Sequence, residues 1–176
     1  MTHAFGDEST VRWIRESCPA GLSIGAAIPP GFAAYATVVI PDEAGPHRQH
    51  DAALVDVLEK HSSTSQWWLG FLDTGADPLP FAGAGTVPVY GGWQYQIVGT
   101  SPDEALRSRK NVWYRTLPDL IFPDDRAWLV STLWDDDWRC VGGPEALIKD
   151  LSASHALETR TVTRDQDATP PGHIAR

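Results

Sequence analysis

Cysteine, methionine and lysine are scarce in this chain of 176 residues. It carries two Cys, one Met, and only Lys60, Lys110 and Lys149 beside its arginines. Cys18 and Cys140 stand outside any C-x-x-C pair. That excludes the paired-thiol zinc motifs and a dense disulfide framework, and it fits a reducing compartment, where disulfides are rare. No run approaches the roughly 18 apolar residues that a membrane helix needs. The opening MTHAFGDEST holds no apolar stretch of signal length. A cytoplasmic chain with no membrane contact is expected. Walker A, G-x-G-x-x-G and H-E-x-x-H sequences are missing as well. No cofactor, no metal and no catalytic residue is predicted from motifs.

Hydrophobic residues make up 42% and charged residues 21%, ordinary for a globular domain. Eight Trp are many for this length. Such rings dominate cores and interfaces, so a ring-rich core, an exposed recognition surface, or a division between the two is implied. The net charge is −9. An acidic chain suits nucleic acid poorly, because phosphate binding needs Lys and Arg. The exception is a short run, Arg107, Arg109, Lys110 and Arg115, which reads first as a solvated patch. The excess of Arg over Lys, with abundant Ala, Gly and Pro, suggests a high-GC genome.

The pattern predicts a flexible leader over residues 1–8, a single domain over 9–163 and a disordered polar tail over 164–176. Within the domain, Ser9 is expected to cap a helix over Thr10–Cys18. Strands are expected at Leu22–Ile28, Phe32–Ile40 and Gln66–Leu72. Asp51 is read as the cap of the strongest helix, Ala52–His61, whose stripe is Leu54, Val55 and Leu58. Thr86–Tyr90 and Trp93–Val98 bracket Gly91-Gly92, a tight-hairpin signature. In the second of these, Trp93, Tyr95 and Ile97 share a face while Gln94 and Gln96 share the other, which predicts a half-exposed strand. Ser101-Pro102-Asp103-Glu104 starts a short helix. Val112–Arg115 reads as a strand, Pro118–Asp125 as a loop, and Arg126–Trp134 and Trp138–Val141 as strands. Gly142-Gly143-Pro144 is expected to break the strand before a helix at Glu145–Leu151, and Leu157–Thr163 to form an edge strand. Hairpins mixed with isolated helices predict an α+β fold, a mainly antiparallel sheet with two or three helices on one face.

Four stretches occur together and in order: Ile28-Pro-Pro-Gly-Phe-Ala-Ala-Tyr35, Ala53-Leu-Val-Asp-Val-Leu58 before His61, Pro123-Asp-Asp-Arg-Ala-Trp128, and Val141-Gly-Gly-Pro-Glu-Ala-Leu-Ile148. In this the chain resembles a group of bacterial proteins common in high-GC Gram-positive genomes. The resemblance spans Trp13 to Leu151. It implies a stable fold and carries no activity.

Several groups invite a chemical reading. Gly21-Leu-Ser23-Ile-Gly25 matches the nucleophile elbow, but Pro29-Pro30 leaves no room for the helix that must follow; small residues packing closely are the alternative. His47, His50 and Asp51 are suitable metal ligands, yet they read as a polar loop entering a helix. Cys18 or Cys140 as a nucleophile stands against buried structural Cys. Trp67 and Trp68 should point to opposite faces. The most distinctive feature is Asp135-Asp136-Asp137 between Trp134 and Trp138. From Thr116 to Leu151 there are eight acids and three bases. The Asp run reads as a turn, as a divalent-cation site, or as an acidic, Trp-flanked surface for a basic protein partner.

The expected function is non-catalytic protein binding through Trp134, Asp135, Asp136, Asp137 and Trp138, with Trp93 and Tyr95, in the manner of an immunity or antitoxin protein. The alternative is a small enzyme or ligand-binding domain. It would have a pocket lined by Trp and Tyr and an acid or base among Asp124, Asp125 and Asp135–Asp137.

Overall fold

Strand residues of this chain bury apolar side chains on both faces of one sheet, and that alternation organises the molecule. The computed structural model describes residues 3–42, 44–76, 78–108, 117–133 and 136–175. Its strands are β1 (Ala4–Phe5), β2 (Ala34–Val39), β3 (Trp67–Leu72), β4 (Val87–Pro88) and β5 (Gln94–Thr100). They continue with β6 (Leu120–Pro123), β7 (Leu129–Ser131), β8 (Trp138–Gly143) and β9 (Thr159–Val162). The order across the sheet is β1-β5-β3-β6-β7-β8-β2-β9, with β4 also on β5, and each pairing is antiparallel.

Three helices cover the first face: α2 (Ala44–Lys60), α3 (Pro102–Arg107) and α4 (Glu145–Ala153). Leu54, Val55 and Leu58 of α2 meet Leu147, Ile148 and Leu151 of α4 over Trp67, Leu69, Phe71, Ile121, Val130 and Val141 of the sheet. Trp67 and Trp128 meet edge to face there, 4.8 Å between centroids. The second face is covered by α1 (Glu8–Arg15), by the 3-10 turn Ile24–Ala26 and by the C-terminal segment. Val11, Ile14, Ile24 and Ile28 pack there on Tyr95, Ile97, Leu120, Phe122, Leu129, Trp138 and Cys140. The fold is α+β with three helices on one face, as expected, and a fourth helix lies on the other. Among the described residues no helix is long and apolar enough to cross a membrane.

The Gly91-Gly92 hairpin forms, with φ of 55° and 88° at the two glycines. Trp67 and Trp68 divide between the faces, and β9 lies at the sheet edge. Elsewhere local reading gives way to packing. Pro118–Asp125, expected as a loop, contains β6, because Leu120, Ile121 and Phe122 are needed between β3 and β7. Asp119 is buried there, its Oδ2 accepting the Leu72 N–H at 2.8 Å. Strand β5, expected to be half-exposed, is covered on both sides. The Gln96 side-chain amide bonds the Phe81 backbone in both directions, accepting at 3.1 Å and donating at 2.7 Å, which holds a loop over it. Leu22–Ile28 is a 3-10 turn with a single bridge, Ser23 to Asp167. Val112–Arg115 lies outside the described residues.

The leader and tail are built into the fold. Ala4 and Phe5 pair with β5, and Asp7, not Ser9, caps α1 by accepting from Ser9 and Thr10. Those bonds hold its carboxyl below the usual carboxylate range. The tail, expected to be disordered, is bonded over residues 164–168 antiparallel to the Leu22–Gly25 segment. Gly25 N–H donates to the Arg164 carbonyl at 2.9 Å, Ile24 N–H to Gln166 at 3.0 Å, and Ala168 N–H to Leu22 at 2.8 Å.

Candidate functional site

Alternation along β8 assigns its side chains. Trp138 and Cys140 face the second core, while Val141 faces the first and Arg139 bonds Asp51 of α2. Around Trp138 and Cys140 lies a cavity of about 230 Å³. Cys18, Leu22, Ser23 and Ala26 form one wall, and Tyr90, Gly91 and Trp93 of the β4–β5 turn form another. Leu133 and Asp136, from the turn before β8, close a third side. Ala168, Thr169 and Ala175 of the C-terminal segment lie across it.

The frame is tied by specific bonds. Tyr90 Oη donates to the Ala27 carbonyl at 2.7 Å, fixing the hairpin to the 3-10 turn, and its ring meets Tyr95 edge to face at 6.0 Å. His173 stands edge to face on Trp138 at 6.2 Å, with Nδ1 2.8 Å from Asp137 Oδ1. Burial pushes the Cys18 thiol up to about 12, against the charge of Arg164. Burial likewise pushes Cys140 up to about 12, and the negative charge of Asp136 adds to the rise. Both are therefore neutral thiols near pH 7, without the thiolate that nucleophilic attack requires.

The expected site residues separate. Trp93, Asp136 and Trp138 come together on the cavity. Asp136 is 9% exposed and Trp138 2%, so both line the cavity as buried residues. Tyr95 lies one layer beneath, in contact with Tyr90. Asp137 points away from the cavity lining to His173. Trp134 and Asp135 lie outside the described residues. Asp124 accepts from the Trp68 indole N–H at 2.8 Å; Asp125 takes the Ser63 hydroxyl and, at 3.0 Å, the Ala127 N–H. These two hold a turn and do not approach the cavity.

No family model, curated protein or solved structure matches this chain.

The remaining motifs find structural places. Ser23 has φ −77° and ψ 162°, relaxed extended backbone, and is followed by a three-residue 3-10 turn. A nucleophile elbow needs a sharp, strained turn into a helix, so the G-x-S-x-G match is a packing segment. His47, His50 and Asp51, read as a polar loop and a cap, sit inside α2 and are buried. The cause is Arg139: its Nη2 donates to Asp51 Oδ1 at 3.3 Å and its Nη1 to Thr132 Oγ1 at 2.9 Å, while His50 Nδ1 lies 3.1 Å from the same carboxylate oxygen. Burial lowers the His47 pKa, keeping that ring neutral. Among the described residues no group of three His, Cys, Asp or Glu is placed to hold a metal ion. Arg107 pairs with Asp103 within α3; Arg109, Lys110 and Arg115 lie outside the described residues.

Sequence reasoning missed the Cys18–Ala26 wall and the Ala168–Ala175 cover. Both are irregular segments of small residues, with no periodicity to reveal a buried side. The available signal was the backbone accounting of Gly21–Gly25, which needs hydrogen-bond partners from somewhere once it is not a strand in the main sheet.

Proposed function

We propose that this chain is a small-ligand-binding domain and that its site is the cavity beside Trp138. The observation that carries this reading is the convergence of Trp93, Tyr90, Trp138 and the buried Asp136 on one cavity of about 230 Å³. Mostly apolar walls with a few convergent polar groups are the general form of ligand sites, and Ser23 and Thr169 line this one beside Asp136. The reading is of binding without turnover: both thiols are protonated near neutral pH, and no imidazole is among the described lining residues. The test is a fragment screen by tryptophan fluorescence and ligand-observed NMR, with Thr169→Trp as the comparison. Thr169 is half-buried on the cavity cover, and an indole there fills the space. Fragments that bind the native chain and not Thr169→Trp support the reading. Hits that bind both equally, or a screen with no hits, overturn it.

A second reading is favoured by the net charge of −9: an immunity- or antitoxin-like protein that meets a basic partner. It would use Asp137, whose side chain is 43% exposed beside His173, and Trp93, 37% exposed at the cavity. A stoichiometric basic partner that is lost with Asp135→Lys and Asp137→Lys together supports it. Retention of that partner by the double variant rules it out.

A further inference from the structure

Resting on the ligand-binding reading, we infer that the cavity takes a compact apolar ring, a benzene-like hydrocarbon with a short alkyl arm, and needs no polar handle on it. Size sets the scale. A dry apolar cavity of about 150 Å³ holds benzene. The space here is about 230 Å³, enough for a ring with a short arm. Ala26, Leu133, Tyr90, Trp93 and Trp138 give it aliphatic and aromatic walls. Such walls reward each carbon that leaves water.

The heteroatoms of the lining decide the class. Tyr90 Oη donates to the Ala27 carbonyl at 2.7 Å, so this residue offers the cavity its ring. The Trp138 indole nitrogen is itself buried, and Trp138 likewise offers carbon. Cys18 and Cys140 are protonated near pH 7, and a neutral thiol behaves as a small hydrophobe. Thr169 is turned to Asp167. The Oδ1 of that residue accepts the Thr169 N–H at 2.8 Å, and the Thr169 hydroxyl also helps to hold its carboxyl below the usual range. Ser23 and the buried Asp136 remain, amid side chains that otherwise present carbon and sulfur. A hydroxyl carried into such surroundings gives up its water for apolar contact, which takes back much of what the ring gains.

The experiment is isothermal titration calorimetry of the full chain with benzene, toluene, ethylbenzene and benzyl alcohol. Affinity is expected to rise about fourfold with each carbon added to the ring. Ethylbenzene and benzyl alcohol have nearly the same shape, and the hydrocarbon should bind about tenfold or more tighter. Leu133→Asn, at a half-buried position of the wall, supplies an amide and should narrow that gap about fivefold. The native-chain series needs no variant, so it decides the matter even where Leu133→Asn folds poorly. A flat series, or benzyl alcohol binding as tightly as ethylbenzene, overturns the inference and leaves the ligand-binding reading standing. A gap unchanged in folded Leu133→Asn places the ring elsewhere and overturns it too. Binding of none of the four also overturns the inference, and the broader fragment screen then decides separately whether the cavity binds ligands at all.

Discussion

Arg139 places a guanidinium, 1% exposed, against a helix that the local pattern presents as an ordinary amphipathic one. Its ion pair with Asp51 and its bond to Thr132 tie α2 to the sheet inside the first core. Removing one member leaves the other charged and buried. Arg139→Met is therefore expected to cost about 3–5 kcal/mol in urea unfolding, and Asp51→Leu added to it should recover much of that loss. Cys140 gives a prediction of opposite chemistry. Its folded pKa, about 12, lies above the 9.0 of an exposed thiol. The unfolded chain thus loses this proton first as pH rises. Stability from this group is whole below about pH 9 and declines between 9 and 12, by about 1.4 kcal/mol per unit. The Tm of the native chain should fall more steeply over that range than the Tm of Cys140→Ala. At this scale residue type was legible and surroundings were not. Trp93, Asp136 and Trp138 announce themselves by their chemistry, but nothing local says that Asp136 is inward and Asp137 bonded to His173.

At the scale of elements, β8 and its glycines illustrate how packing reassigns a local signal. Gly142-Gly143 looks like a strand breaker, yet both residues lie in β8, paired with β2. Their missing side chains are what the fold uses. A Cβ on Gly143 would stand 2.6 Å from Leu147 Cδ2 and 3.1 Å from Trp128 Cβ, both in the first core. Leu147 is fully buried and has no free direction in which to yield. Gly143→Ala should cost about 1–3 kcal/mol, the usual penalty of overpacking. Gly85→Ala, with nothing within 4 Å, should be close to neutral by the same thermal melt. Long elements with a clear period, such as the stripe of α2 and strand β3, were legible from the chain alone. β6 was not, since a four-residue strand flanked by prolines carries the same local signals as a loop, and only its neighbours β3 and β7 decide between them.

For the whole molecule, the two faces of the sheet are closed by different means, and this bears on the cavity. The first face is sealed by three helices. The second is sealed by α1 together with irregular chain, and residues 164–175 supply its last layer through Ala168, through the pairing with Leu22–Gly25 and through His173 on Trp138. Arg164 adds a clamp, donating to the Ser17 carbonyl at 3.2 Å with its guanidinium carbon 3.2 Å from the position a Gly25 Cβ would occupy. Deleting residues 164–176 should therefore strip the cover from Ile24, Trp138 and Cys140 while leaving the helical face untouched. The expected result is a lower Tm, with binding of a hydrophobic dye. Hydrogen exchange should rise at Ile24 and Gly25, whose amides lose their acceptors, and stay low in α2 and α4. A uniform rise over both faces would mean instead that the segment holds the entire sheet together. Unchanged exchange at Ile24 and Gly25 would mean that it does not close the second face at all, and the cavity beside Trp138 would then lose the wall that Ala168, Thr169 and Ala175 give it.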